Sequence, residues 1–139
     1  MEIIANALQT VPANQNVYFT DTITCGNCAI THRDDSGLVI LRGMTGQCRA
    51  RFRVSFGANI AVPTDGTVGS ISLAIAIDGE AVRATTMTVT PTVVDAFFNV
   101  FSSVFIDVPR GCCVTISVKN ITDVDVDVQN ANLIVDRVA

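Results

Sequence analysis

Two segments of this chain alternate strictly between apolar and charged residues. Residues 48–56 have the sequence CRARFRVSF, and residues 124–128 have the sequence VDVDV. Successive side chains on a β-strand point to opposite faces, so each segment would place apolar groups on one face and like charges on the other. Such alternation is typical of half-buried strands, and it predicts a sheet protein.

The composition also favours sheet over helix. Val, Ile, Phe and Thr are frequent, and these residues suit a pleated, half-buried backbone. At 139 residues the chain is predicted to be one domain with a substantial core. Hydrophobic residues make up 49% of the chain and charged residues only 16%, so we expect some apolar surface to remain outside the core of the monomer.

Charge and cysteine content exclude several classes of function. The formal net charge is −4 and the only lysine is Lys119, which argues against a nucleic-acid partner. No stretch approaches the ~20 apolar residues of a membrane span, and residues 1–6 lack the pattern of a signal peptide. We therefore expect a protein folded in a cytosol without membrane insertion. Its five cysteines are expected to be reduced thiols.

Turn signals divide the chain into roughly eight to ten short strands, the number and spacing of a sandwich or barrel. Asp78-Gly79 is the strongest hairpin signal among them. The predicted strands are residues 17–23, 29–33, 38–42, 48–56, 70–77, 80–89, 96–108, 114–120, and 124–128 with 131–138, the last pair interrupted near Asn130. No helical period competes with this pattern.

Three of these segments resemble motifs of the complement globular-head and tumour-necrosis-factor superfamily. Phe52, Val54 and Phe56 match its aromatic strand, residues 72–79 match its hairpin, and residues 111–120 match a strand near its end. The chain departs from the pattern at Cys112, where an acidic residue is usual. The resemblance covers about residues 16–139. It implies an all-β, two-sheet jelly-roll sandwich with Greek-key topology, assembled as a homotrimer.

The chain is also similar to short jelly-roll proteins encoded by Firmicutes of the gut and by their phages, often beside virion genes. This resemblance implies a non-enzymatic structural or adhesive knob of a bacteriophage virion: a capsid decoration, head fibre or tail-associated protein. Residues 1–15 would be an attachment or interface segment, and residues 16–139 the jelly-roll domain. Expected partners are other virion proteins and a host surface glycan or protein. The alternatives are a bacterial surface or spore-coat trimer and a carbohydrate-binding accessory module.

No catalytic site or cofactor is predicted. His32 is the only histidine, and no nucleophile motif surrounds any serine. Cys25 and Cys28 have the spacing of half a zinc site, but no second pair completes it, and a turn bearing two small thiols is the simpler interpretation. A calcium site on the aspartates of residues 123–127 is the remaining metal hypothesis. Alternate residues on a straight strand lie ~7 Å apart, so another loop would have to contribute ligands.

Bulky apolar residues occupy both faces of the predicted strand at residues 96–108. A strand of this kind is covered on each side, here by the core and by a partner copy. Closed symmetric homo-oligomers are the commonest assemblies, and threefold packing is what the resemblance implies. The predicted trimer interface consists of Phe97, Phe98, Phe101 and Phe105, together with Phe52 and Phe56.

The two alternating segments carry opposite charges and suggest a pairing of charge stripes. The basic stripe is Arg49, Arg51 and Arg53, and the acidic stripe is Asp123, Asp125 and Asp127. Within or between subunits, such pairs would set register or partner choice more than stability, because exposed ion pairs contribute only ~0–1 kcal/mol each. Two independent solvated faces are the alternative.

Overall fold

A computed structural model describes residues 1–26 and 28–139 as a β-sandwich. The strands, numbered in chain order, are β1 (Glu2–Ala5), β2 (Gln9–Val11), β3 (Asp21–Thr24), β4 (Ile30–His32), β5 (Val39–Arg42), β6 (Arg49–Ala61), β7 (Ile71–Ile77), β8 (Glu80–Ala81), β9 (Met87–Val89), β10 (Phe98–Pro109), β11 (Cys113–Asn120) and β12 (Val126–Arg137). One 3-10 turn, Arg83–Thr85, interrupts them. No helix of the described residues is long and apolar enough to cross a membrane.

The strands form two antiparallel sheets. In the first sheet the order is β10-β6-β12-β1-β3, with β2 paired to β12. In the second sheet the order is β4-β5-β11-β7-β8, with β9 paired to β7. Most neighbours within a sheet are distant in sequence, as Greek-key connections require. The predicted all-β, two-sheet jelly-roll sandwich is confirmed.

The core lies between the sheets and is built by strand alternation. On β6 the apolar residues of the alternating pattern, including Phe52, Val54 and Phe56, are completely buried. Phe56 packs edge-on against Phe19, with ring centroids 6.3 Å apart and planes at 80°. Burial of each such side chain contributes about 1.5–3 kcal/mol, so this alternation is a main source of the stability of the fold.

The predicted hairpin at Asp78-Gly79 joins β7 to β8. Both residues have positive φ, 51° and 89°, as a two-residue type I′ turn requires. Ile77 and Glu80 are directly paired across it. The carboxylate of Asp78 accepts a hydrogen bond of 2.9 Å from the backbone N–H of Thr115, which ties the turn to β11.

Several predicted boundaries differ from the structure; the strand predicted over residues 17–23, for example, is β3, Asp21–Thr24. The strand predicted over residues 80–89 is divided into β8, the 3-10 turn and β9, because the hydroxyl of Thr85 takes over hydrogen bonds of the ladder. It accepts from the N–H of Ile75 at 2.9 Å and donates to the carbonyl of Val82 at 2.6 Å. The strand predicted to end at Phe56 continues to Ala61. Gly57 and Asn59 resemble loop residues, but the neighbouring strands pair with both.

The first fifteen residues contribute two strands, β1 and β2, to the first sheet. β1 pairs with β12 on one side and with β3 on the other, and β2 pairs with β12. Ile3 and Val11 are buried in the common core. Residues 1–15 are therefore part of the sandwich, and attachment through their exposed side chains stays a prediction.

Candidate assembly interface

The outer face of the first sheet carries a group of exposed phenylalanines along one edge. β10 is the edge strand, and in the described residues it pairs only with β6. Its even-numbered residues Val100 and Ile106 point into the core, so Phe101 and Phe105 point outward and are 66% and 61% exposed. Phe97, the residue before β10, has the parity of Phe101 and Phe105 and is 40% exposed, whereas Phe98 has the core-facing parity of Val100 but is still 44% exposed at the start of the strand. We call these four residues the aromatic patch.

The neighbouring strand makes room for the patch. Phe101 is directly paired with Gly57 of β6. A Cβ placed on Gly57 would lie 3.7 Å from the ring of Phe101, so the ring rests against a position without a side chain. Further across the sheet, Gly57 is paired with Asn132 and Ser55 with Ile134, which is also exposed. The outer face therefore combines aromatic and aliphatic side chains around a shallow depression at Gly57 on β6.

The polar groups near the patch pair with one another. Ser55 and Ser103 are joined by a hydrogen bond of 2.9 Å between their hydroxyls. Asn99 donates to Asn59 at 3.2 Å. These contacts run across the β6–β10 ladder. They give these polar side chains hydrogen-bond partners within the chain, which they keep when a second molecule displaces water from this face. A partner could cover this face with a reduced desolvation cost.

A charged cluster lies on the same face at the end where β6 begins. Arg51 holds Asp107 through two hydrogen bonds, from Nε to Oδ1 at 2.8 Å and from Nη2 to Oδ2 at 3.1 Å. Arg49 adds a contact of 3.2 Å to the same carboxylate. The hydrogen bond from Arg51, together with the charges of both arginines, lowers the pKa of Asp107. The same hydrogen bond and the negative charge of Asp107 raise the pKa of Arg51.

Within one chain the predicted pairing of the charge stripes is wrong. Arg49 and Arg51 pair with Asp107, and Arg53 pairs with Asp136 at 3.4 Å. On the β6–β12 ladder Asp136 is the partner of Arg53, whereas Asp127 is the partner of Ala61, eight residues further along β6. That separation is about 26 Å. Pairing of the stripes between copies stays a prediction.

The acidic stripe itself is not one face of a strand. β12 begins at Val126, so Asp123 and Asp125 lie in the preceding loop and are exposed. Asp127 is buried and accepts a hydrogen bond of 2.7 Å from the hydroxyl of Thr10. Because Asp123 and Asp125 lie in a loop, the alternation in the sequence does not place the three aspartates on one face of a strand.

Phe52 and Phe56, predicted as interface residues, lie in the core of the chain. Both are 0% exposed, so a partner copy cannot reach them without unfolding the sandwich. The sequence carried the signal for this placement, because both residues alternate with the exposed arginines of β6. Of the predicted set, Phe97, Phe98, Phe101 and Phe105 remain available to a partner.

The second sheet offers no comparable surface. None of the large exposed hydrophobic side chains of the described residues belongs to one of its strands. Its outer face has small residues such as Ala74 and Ala76, both buried, and the hydroxyls of Ser72 and Thr88 bond to each other at 2.8 Å. The difference between the two outer faces identifies the first sheet as the candidate interface.

The candidate catalytic and metal-ligating residues are dispersed. Nε2 of His32 donates to the carbonyl of Ser36 at 2.9 Å, and its buried Nδ1 has no partner. Cys25 and Cys28 are exposed and form no disulfide. Asn27, part of the turn predicted between them, lies outside the described residues. Within residues 1–26 and 28–139, no three His, Cys, Asp or Glu side chains converge as a potential metal site.

Comparison with known proteins identifies the fold alone. No family model and no curated protein matches the chain. The globular domain of the zebrafish complement 1qA protein matches with a TM-score of 0.63 and 11% identity, over 96% of this chain and 93% of that one. The Eiger TNF of S. frugiperda matches with a TM-score of 0.68 and 12% identity, over 100% and 92%. The chain therefore has the jelly-roll fold of these two domains.

Proposed function

We propose that this protein is a non-enzymatic structural module that assembles as a homotrimer through the aromatic patch. The observation that carries the proposal is the exposure of four phenylalanine rings on β10 and the residue before it, whereas in the described residues no strand of the second sheet carries a large exposed hydrophobic side chain. Covering Phe101 and Phe105 would contribute about 1–2 kcal/mol for each ring. The threefold arrangement follows the sequence resemblance to trimeric jelly-roll domains, and the shared fold supports it.

The position of the patch also favours a closed assembly. β10 has twelve residues and lies at an edge, where unpaired backbone groups and apolar side chains invite uncontrolled association. A closed ring of copies covers this edge in every subunit and leaves none free to recruit further chains. An isolated chain would leave the edge exposed.

At a finer level, we propose that the trimer is a knob of a bacteriophage virion, used as a capsid decoration, head fibre or tail-associated tip. The sequence resemblance supports this role. The N-terminal amine of Met1 bonds to the carbonyl of Val135 at 2.8 Å, and the carbonyl of Ala139 accepts from the N–H of Arg51 at 3.1 Å. Both termini therefore lie at one end of the sandwich. Tethering there to a capsid or fibre neighbour would present the opposite loops, near residues 62–70 and 90–96, to a host glycan or protein.

Light scattering across a dilution series tests the assembly. We expect a particle of about three times the chain mass of 14.7 kDa, stable at low micromolar concentration. A monomer at every concentration would overturn the proposal. The measurement should be made in reductant, so that only non-covalent association is observed.

Mass spectrometry of purified particles tests the location. We expect the intact chain in virions at a stoichiometry that is a multiple of three. Recovery only from bacterial envelopes or spore coats would reject the virion and support the bacterial alternative.

A further inference from the structure

All five cysteines of the chain lie at one end of the sandwich. Cys25 follows β3 and Cys28 precedes β4, Cys48 directly precedes β6, and Cys112 and Cys113 follow the end of β10. Because neighbouring strands are antiparallel, these three segments meet at the same end. We call it the thiol end.

Backbone hydrogen bonds join the loops of the thiol end. The carbonyl of Cys48 accepts from the N–H of Arg110 at 2.9 Å, next to the turn that carries Cys112. The carbonyl of Cys112 accepts from the N–H of Gly43 at 2.9 Å. A Cβ on Gly43 would clash with the carbonyl of Pro109, so only glycine lets the two loops come this close. The end is a defined surface formed by distant parts of the sequence.

The exposure of these thiols is unusual. Free cysteine is among the residue types most often buried, where it acts as a small apolar side chain. Here all five cysteines are exposed and none of them forms a disulfide. Core packing therefore does not explain them, whereas an accessible thiol can react with disulfides and oxidants.

The thiol end has two parts that differ in their distance from the aromatic patch. Cys48 and Cys112 flank the junction of β6 with β10, the strand that carries three of the four phenylalanines of the patch. Cys25 and Cys28 flank the connection from β3 to β4, at the other edges of the two sheets. Phe105, the patch residue nearest to this end, is four residues before Pro109, about 13 Å along the strand, so a copy that covers Phe105 lies nearer to the first group than to the second.

We propose that Cys48, Cys112 and Cys113 form disulfides between copies within the assembled trimer once the protein leaves a reducing cytosol. The inference rests on the proposed trimer. A thiolate of one copy attacks a small-molecule disulfide such as glutathione disulfide, giving a mixed disulfide and one glutathione thiolate. A thiolate of the neighbouring copy then attacks the protein sulfur of that mixed disulfide and releases the second glutathione. Two protein thiols are oxidised and one glutathione disulfide is reduced.

The test is oxidation of the full-length protein with glutathione disulfide, followed by non-reducing gel electrophoresis and peptide mapping. We expect covalent dimers and trimers that reductant reverses. Their yield should be unchanged when the protein is diluted tenfold before oxidation, because the reacting thiols are held in one assembly. The Cys48→Ser/Cys112→Ser/Cys113→Ser variant should lose at least tenfold of the cross-linked fraction. The matched control, Cys25→Ser/Cys28→Ser, should keep it.

Light scattering of each variant in reductant separates this inference from the proposed function. A wild-type trimer that gives only glutathione adducts or disulfides within one chain would overturn the cross-linking and leave the trimer intact. A yield that falls in proportion to dilution would also overturn it, since collision rather than assembly would then bring the thiols together. A protein that is monomeric in reductant would overturn the trimer itself.

Discussion

The two faces of the β6–β10 ladder use the same residue type for different purposes. Phe56 is paired with Ser102 and Phe101 with Gly57, so the two phenylalanines come from adjacent rows. Phe56 is 0% exposed and Phe101 is 66% exposed. Strand parity alone separates them. The inner ring stabilises the fold of one chain, whereas the outer ring is left for contact with a second molecule.

The largest effect is expected from emptying the inner face. Phe56→Ala should destabilise the chain by about 3–5 kcal/mol, because it removes a fully buried ring and leaves a cavity beside Phe19. Urea unfolding in reductant, in the Phe101→Ser/Phe105→Ser background that limits assembly, measures this cost without a contribution from association. Phe101→Ala in the Phe105→Ser background is the control and should change the free energy of unfolding by less than about 0.5 kcal/mol. Equal losses would show that the two faces are not distinct.

Removal of the outer rings should affect assembly rather than folding. Phe101→Ser/Phe105→Ser should weaken the trimer by about 2–4 kcal/mol per subunit, roughly 30- to 1,000-fold in affinity, and leave the far-UV circular dichroism of the chain unchanged. Light scattering over a dilution series measures the shift. The matched control is Ser72→Ala/Thr88→Ala on the outer face of the second sheet, which should assemble like the wild type. A trimer that survives the double phenylalanine substitution would place the contact elsewhere.

Much of the fold was predictable because it depends on local alternation and turn chemistry. The strand over residues 48–56 and the hairpin at Asp78-Gly79 need only the period of two and two residues tolerant of positive φ. The irregularity predicted near Asn130 is a bulge within the continuous strand β12 rather than a break between two strands. Asn130 has a φ of 55°, and the pairing of β12 with β6 shifts between Gln129 and Asn132.

The errors concern features that depend on distant parts of the chain. Gly57 and Asn59 belong to a strand only because β10 and β12 pair with them, and the neighbouring sequence does not predict that pairing. The 3-10 turn depends on a bond from Thr85 to β7, ten residues away. The partners of the arginines required the register of β6 with both neighbours. Strand content was therefore predictable from the sequence, whereas the ion-pair partners on the outer face were not.

A smaller effect is expected from the charged cluster beside the patch. Asp107→Asn removes the carboxylate that Arg49 and Arg51 share, so the melting temperature near pH 7 should fall by less than for Phe56→Ala. The pKa of Asp107 is lowered in the folded chain. Its contribution to stability is therefore present above the ordinary carboxyl value of about 3.9 and is lost as the pH falls through the lowered value.

Thermal melts of wild type and Asp107→Asn from pH 7 to pH 2 test this sign. The difference in melting temperature should be constant down to about pH 4 and should then close. Asp123→Asn serves as the control, because Asp123 is exposed in a loop and the described structure shows no contact of its carboxylate. A difference that persists at pH 2 would show that the substitution acts through packing rather than charge.

The smallest expected effect is the coupling between the two charge stripes. Within one chain Arg53 and Asp123 lie near opposite ends of the first sheet, so Arg53→Glu and Asp123→Lys should be additive within about 0.5 kcal/mol in the Phe101→Ser/Phe105→Ser background. Arg53→Glu with Asp136→Arg is the matched cycle. This pair is in register at 3.4 Å and should couple by a few tenths of a kcal/mol, because both side chains are about half exposed.

The same two cycles, repeated in the wild-type trimer, decide whether the stripes meet between copies. Coupling of about 0.5 kcal/mol or more between Arg53 and Asp123, present only when the aromatic patch is intact, would show that a neighbouring subunit brings them together. Salt then distinguishes a rim contact from a buried one. At 1 M salt the Debye length is ~3 Å, so an exposed pair loses its coupling while a pair enclosed by the interface keeps most of it. Additivity in both backgrounds would make each stripe an independent solvated surface, and the aromatic patch alone would then account for assembly.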